Sequence, residues 1–432
     1  MTASPTGSPQ RKPRRRWRWH VPPALVHGNE TLEGTEMLEE VPGAVGVVLW
    51  QTMRDVTLWS GTREPEERTN LFAAGAHERR LRELEAAGVD AAIDAPLRAL
   101  AGICRAPAET TEAEILTACR EISQWAEDRD LLATAIAFAQ AGALAAPTNA
   151  AAGYKVGRLA RRKAENARAE SWFRRVIGLG RQAKDWASYA EAFLGLGNLY
   201  IQRGNFPAAR RFLIRALRAA RRHGLREIQA RALHDLFGIA VNSGNAAEAQ
   251  EFARAAFRAY GSTHPRLPAL AHDIGYFWMT QGRFSHALAV FQAILPHISR
   301  SSDLILAHGD IGRAAGGVGN REVFDRAWDE VWNQAGDWHK KPGAAQGLLD
   351  LARGAGSLKD WVRAEKAAQA ARDIAQRREE NRVVLETDTV LDSVSRRRAV
   401  ETAPAGTMDE ADAAGLAADL LRSLSGSAAA GV

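Results

Sequence analysis

Three stretches of this chain read alike: LGLGNLYIQRGNFPAARRFLIRAL at 194–217, LHDLFGIAVNSGNAAEAQEFARAA at 233–256 and AHDIGYFWMTQGRFSHALAVFQAI at 271–294. Each carries a glycine that closes one apolar-periodic segment, at Gly204, Gly244 and Gly282. Each then has an alanine in the next segment, at Ala209, Ala249 and Ala287. Weaker copies flank them at 156–176, 311–331 and 351–371, so turn positions 164, 204, 244, 282, 319 and 359 recur every 37–40 residues. A fixed period of this size marks stacked supersecondary units. Glycine at the turn permits the left-handed backbone that ends a helix. The small alanine lets the second helix approach the first. Over 206–223, Ala209, Phe212, Leu213, Ala216, Leu217 and Ala220 fall on one side at helical spacing. One such hairpin cannot bury its apolar face alone, so neighbours must stack.

The pattern resembles the tetratricopeptide (TPR) repeat family, in a bacterial type with longer units. The resemblance is carried by Leu196, Gly197, Tyr200, Gly204, Phe206, Ala209 and Ala216, and again by Ile274, Gly275, Trp278, Gly282, Phe284, Ala287 and Phe291. These units exceed the family's usual length of about 34 residues, and the helix-ending proline common in the family is missing from most of them. The resemblance covers 150–375 and extends back over 112–146, where two helices part near Asp128–Asp130. It implies an all-α fold: a right-handed α-solenoid of stacked helix-turn-helix hairpins with an N-terminal helical cap. The expected organisation is a disordered basic tail over 1–29, an acidic helical cap over 30–105, the solenoid over 106–376, a C-terminal helix over 377–400 and a flexible tail over 401–432, with one short helix near 408–424. Within the cap, Val45, Leu49, Met53 and Val56 make one apolar stripe, and further helices are expected over 66–87 and 90–103.

Composition agrees with a folded chain: of 432 residues, 46% are hydrophobic and 25% charged. Two cysteines, Cys104 and Cys119, exclude a disulfide framework and a four-cysteine zinc site, and read as buried thiols. The net charge of +6 hides opposed blocks: +6 over 1–20, −11 over 21–154, +14 over 155–231 and −3 over 232–432. Such blocks either attract an outside polyanion or pair with each other. The Arg-rich start, RKPRRRWRWH at 11–20, is followed by VPPALVHGNE rather than an apolar run, so it reads as a basic tail and not as a secretion signal. Leu131–Tyr154 lacks charge but is broken by Pro147 and Asn149 and reads as a buried helix. A cytoplasmic protein without a membrane segment is expected.

Catalytic motifs are absent: the chain has no P-loop, HExxH or G-x-S-x-G, so no enzyme, metal or cofactor is expected. The dipeptides His234-Asp235 and His272-Asp273 stand one repeat apart and read as repetition rather than as a metal phosphohydrolase. The TPR resemblance implies that the first helices of successive units line a concave groove that binds another protein or a peptide. On that basis the groove face holds Asn198, Gln202, His234, Asn242, His272, Tyr276 and Met279, a mix of donors, aromatics and a thioether suited to gripping a peptide or partner helix. A different face carries a basic ridge of Arg175, Arg211, Arg215, Arg218, Arg222 and Arg258. The leading expectation is a non-catalytic interaction protein. One alternative is a ligand- or peptide-responsive sensor whose acidic N-terminal region docks on the basic solenoid. A less favoured one is nucleic-acid binding through the Arg ridge. The sequence sets no oligomeric state.

Overall fold

The computed structural model describes residues 34–62, 64–298, 301–333, 343–378, 380–398 and 410–428. Among them it is all-α, with no strand. The basic tail read over 1–29 lies outside the described residues, as do 401–409 and 429–432. The chain divides into two compact units, Met1–Arg203 and Gly204–Val432.

The first unit holds α1 (Glu36–Glu40), α2 (Ala44–Gly61), α3 (Pro65–Thr69), α4 (Ala76–Ala87), α5 (Ala91–Ala101), α6 (Glu112–Asp128), α7 (Leu132–Ala145), α8 (Ala150–Arg162), α9 (Asn166–Ala183) and α10 (Trp186–Gln202). The stripe expected on α2 is its packed face: Leu49, Met53 and Val56 are buried, with Trp59 beside them. The helix expected over 66–87 is two helices. Gly75, at φ +75°, breaks it and starts α4. Helices α2, α4 and α5 share one apolar core with Ile115, Cys119 and Ile122 of α6 and Phe138 of α7. Polar contacts fix the same junction. The Glu40 carboxylate accepts from the Ala133 and Thr134 backbone N–H groups at 2.7 and 2.8 Å, so a side chain from α1 caps the start of α7. Trp59 Nε1 donates to the Pro107 carbonyl at 2.7 Å. Uncharged 131–154 becomes α7, a turn at Pro147 and α8; no helix among the described residues is long and apolar enough to cross a membrane.

The second unit holds α11 (Phe206–Arg222), α12 (Arg226–Asn242), α13 (Ala246–Tyr260), α14 (Leu267–Thr280), α15 (Phe284–Ile294), α16 (Ser301–Val318), α17 (Arg321–Trp332), α18 (Ala344–Ser357), α19 (Trp361–Arg377), α20 (Asn381–Ser395) and α21 (Glu410–Ala428). Consecutive helices pair antiparallel and stack, α12 on α13, α14 on α15, α16 on α17 and α18 on α19. All six turn positions read from the sequence have left-handed backbone: Ala164, Gly204, Gly244, Gly282, Gly319 and Lys359, at φ +59° to +77°. The next residue's N–H reaches back to close the helix, as in Asn245 to the Ala240 carbonyl at 3.0 Å and Asp360 to Ala355 at 2.9 Å. The residue after the turn then opens the second helix. Asn205, Asn245, Asn320 and Asp360 each accept a backbone N–H in its first turn. The alanines beyond, Ala209, Ala249 and Ala287, are fully buried.

Helices α16 and α18 pack closest. Gly309 and Gly316 lie against the backbone of Gly347 and Gly354; a Cβ on either α16 glycine would fall 2.3 Å from a carbonyl oxygen of α18. Within the stretch read as a flexible tail, Glu410–Ala428 forms α21. It packs on α15 and α14, buries Leu416, Leu420 and Leu424, and joins α13 through Asp412 and Arg254 at 2.5 Å.

Candidate functional site

The first helices of the second unit, α12, α14, α16, α18 and α20, carry a continuous row of ionic side chains. His234 Nε2 on α12 lies 2.9 Å from Asp273 Oδ2 on α14. The neighbouring His272 approaches Asp273 Oδ1 through Nδ1 at 3.4 Å and Asp310 Oδ2 of α16 through Nε2 at 2.8 Å. Arg313, one helical turn beyond Asp310, donates to Asp350 Oδ1 of α18 at 2.9 Å. Asp350 also accepts from Gln346 at 2.9 Å and Arg353 at 3.3 Å. Arg353 then reaches Glu386 of α20 at 2.9 Å, and Arg382 completes that carboxylate at 2.8 Å. Links between helices join residues 39, 38, 37 and 33 apart, near one repeat. Stacking therefore brings equivalent positions together, which is why the row forms.

The floor of the row is buried. Asp310 and Asp350 are 0% exposed and Arg313 is 7% exposed. The glycine seam between α16 and α18 brings these groups close and out of water. Asp310 Oδ1 has no hydrogen-bond partner. Burial raises the Asp310 carboxyl, against the hydrogen bond from His272. Burial would lower His272, but hydrogen bonds to Asp273 and Asp310 outweigh it and push the imidazole up to about 10. Its ring is therefore a cation that donates through both nitrogens. Burial would raise Asp273, but hydrogen bonds from His234 and His272 outweigh it and bring the carboxyl down to about 2. Tyr276, half-buried beside the row, has the Arg313 guanidinium 5.8 Å over its ring. The Asp350 charge, then burial, raises its phenol to about 12.

Of the residues read as groove-lining, His234, His272 and Tyr276 stand in this row. Asn242 is exposed but spends its amide on the Gly238 carbonyl of its own helix at 2.8 Å. Met279 is a correction: at 1% exposure it is core, because its helical position faces the unit's apolar interior. Asn198, half-buried, and Gln202, exposed, belong to α10 of the first unit. On the basic ridge, Arg211, Arg215, Arg218 and Arg222 are exposed along α11, and Arg258 is exposed on α13. Arg175 is a second correction. It is half-buried in α9 of the first unit and donates to the Pro147 carbonyl at 3.0 Å, so it is not part of an exposed stripe. Asp273, Asp310, Arg313, Asp350, Arg353 and Glu386 were missed in the sequence. The signal that finds them is the repeat period itself, which sets an acid one unit after each histidine or arginine. The two His-Asp dipeptides are thus repetition with a structural purpose. Among the described residues no group of three or more His, Cys, Asp or Glu is placed to hold a metal ion.

In the first unit the acidic and basic blocks meet at Glu127. Lys155, Arg158 at 2.6 Å and Arg162 at 2.7 Å converge on its carboxylate. Burial would raise this group, but hydrogen bonds from Arg158 and Lys155 outweigh it and hold it at about 2. Lys163 pairs with Glu36 of α1. Cys104 and Cys119 are buried free thiols; burial pushes Cys104 up to about 12 and raises Cys119 as well, which keeps both unreactive.

No family model matches the chain, and no curated protein does. Similar solved structures include PilF of Pseudomonas aeruginosa, 12% identical, covering 52% of this chain and 93% of that one at a TM-score of 0.42. BtubC from P. vanneervenii is 17% identical over 53% and 94% at 0.40. A Rap protein complexed with competence and sporulation factor is 10% identical over 82% and 98% at 0.43. Likeness at these scores carries no functional meaning. The hairpins themselves, each two helices joined at a left-handed turn and repeated every 37–40 residues, make this chain an all-α, TPR-like helical-repeat protein.

Proposed function

We propose that the chain is a non-catalytic interaction protein that binds a peptide or partner helix along the row on α12, α14, α16, α18 and α20. The observation behind this reading is that five successive first helices each contribute ionisable side chains at one register. With neighbouring helices about 8–10 Å apart, the row extends for roughly 30–40 Å, the reach of about ten extended residues. The row pre-organises its side chains, because each is held by the next helix, so binding loses little side-chain entropy. His234, His272 and Arg353 are committed to holding helices together, so recognition falls to Tyr276 and Arg382, the latter 75% exposed.

The test is selection of a displayed random peptide library on the full chain. Enriched peptides are expected to bind Tyr276→Ala and Arg382→Ala at least about fivefold more weakly, roughly 1 kcal/mol, with melting temperatures unchanged. Enriched peptides that bind both variants as tightly as wild type sink this reading, and so does a library that yields none. The sensor reading, in which the acidic N-terminal region bears on binding, is favoured by the Glu127 cluster. It requires peptide affinity to change in Glu127→Gln.

A further inference from the structure

Many arginines of the second unit pair with carboxylates, Arg210 of α11 among them, but the outward face of α11 carries a row that includes three without such a pair among the described residues. Arg210 pairs with Glu248, Arg254 with Asp412, Arg313 with Asp350, Arg363 with Asp325, Arg372 with Asp388 and Arg382 with Glu386. Between Phe206 and Arg226 the sequence has no acidic residue at all. On α11, Arg211, Arg215, Arg218 and Arg222 are exposed, and at about 100° per residue they fall within about 60° of one another. The apolar residues Ala209, Leu213, Ala216, Leu217 and Ala220 occupy the opposite side and are buried. Arg211, Arg218 and Arg222 have no ion-pair partner among the described residues. Nearby acids are already engaged: Glu248 holds Arg210, and Glu227 faces His264 at 2.5 Å.

Like charges along one helix face repel by a few tenths of a kcal/mol per pair. Arg211, Arg218 and Arg222 share one exposed face without a carboxylate partner among the described residues, and such a concentration of positive charge attracts an external anion. We propose that the exposed face of α11 is a second binding site, for the phosphodiester backbone of a nucleic acid, held by Arg211, Arg218 and Arg222 with Arg215 between them. From Arg211 to Arg222 the helix rises about 16 Å. Duplex DNA carries a charge every ~1.7 Å of axis, so this length meets several phosphates. The guanidinium fork suits bidentate phosphate contact. Arginines engaged with phosphates carry no sequence information, so binding without sequence preference is expected.

The experiment measures fluorescence anisotropy of the full chain with a labelled random-sequence DNA duplex and a labelled single-stranded RNA of equal length. Neutralising three or four phosphates predicts that duplex affinity falls about 40–150-fold between 50 and 200 mM salt. The Arg211→Gln/Arg218→Gln/Arg222→Gln variant should bind at least about tenfold more weakly at 50 mM salt with a flatter salt slope. Its circular dichroism should match wild type, because glutamine is nearly as good a helix former as arginine. Should the triple variant fail to fold, Arg218→Gln alone should reduce the salt slope by about one. No binding at 50 mM salt overturns the proposal. Unchanged affinity in the variants overturns it too, since the basic residues 11–20 would then carry the interaction. If poly-glutamate binds wild type more tightly than either nucleic acid, and the variant loses it, the face belongs to an acidic protein and the nucleic-acid assignment is overturned.

Discussion

His272 on α14 holds Asp310 of α16 through a 2.8 Å contact between Nε2 and Oδ2, and the two residues are 38 positions apart in the chain. Asp310 is wholly buried, whereas His272 keeps partial exposure and a second carboxylate, Asp273. Removing the histidine strands a buried acid. Removing the acid leaves a cation that still has a partner. His272→Ala is therefore expected to cost about 2–4 kcal/mol and Asp310→Asn about 1–2 kcal/mol at neutral pH. Urea unfolding followed by circular dichroism measures both, and the reverse order would remove the ladder as a source of stability.

The same pair sets a pH dependence. In the unfolded chain His272 titrates near 6.5 and in the fold near 10, so the stability it contributes is complete below pH 6.5 and is lost as pH rises through 10. Asp273, lowered from 3.8 to about 2, contributes stability that is present above pH 3.8 and lost as pH falls through 2. Raised by burial, Asp310 works against folding once pH exceeds its unfolded value of 3.8. The difference in urea midpoint between wild type and His272→Gln should therefore shrink from pH 6 to pH 10. A difference that stays constant across that range contradicts the assignment of the cation to His272.

Gly309 has no room for a side chain: a Cβ there would sit 2.3 Å from the Gly347 carbonyl oxygen. Gly309→Ala should push α16 from α18 and cost about 1–3 kcal/mol. Gly238, inside α12 with nothing within 4 Å of its added Cβ, is the control. Gly238→Ala should stabilise by about 0.5–1 kcal/mol through helix propensity. Thermal melts of the two variants that shift the same way would show that the seam is not close-packed.

Glu127 gathers three cations, and neutralising it leaves Lys155, Arg158 and Arg162 facing one another. Glu127→Gln is expected to lower stability by about 1–2 kcal/mol at pH 7. Because the carboxyl is held at about 2, that contribution is present above its ordinary 4.5 and disappears as pH falls through 2. Melting curves at pH 7 and pH 3 check it: the gap between wild type and variant must narrow at the lower pH.

The helical hairpins were legible because their signals are local. A left-handed turn needs glycine or a tolerant residue, and a second helix needs an apolar stripe; both appear in the sequence at Gly204, Gly244 and Gly282 and between Ala209 and Ala220. Even the non-glycine turns at Ala164 and Lys359 were fixed by the period alone. Less legible were elements with no repeat to align them. The break at Gly75 inside 66–87 and the packing of α21 on α15 depend on partners far along the chain. Met279 and Tyr276 illustrate the limit on the site. Three positions apart on one helix, one is core and the other lies beside the ionic row, and a small rotation of α14 decides between them.

By itself the sequence determined the unit: its length, its turn, its apolar face and the arginine stripe of α11. Only the tertiary structure decided which charges meet. A one-repeat offset between His272 and Asp310 is invisible as an interaction until two helices stack. It is the close approach of α16 and α18 at their glycines that takes Asp310, Arg313 and Asp350 out of water and makes their pairing matter.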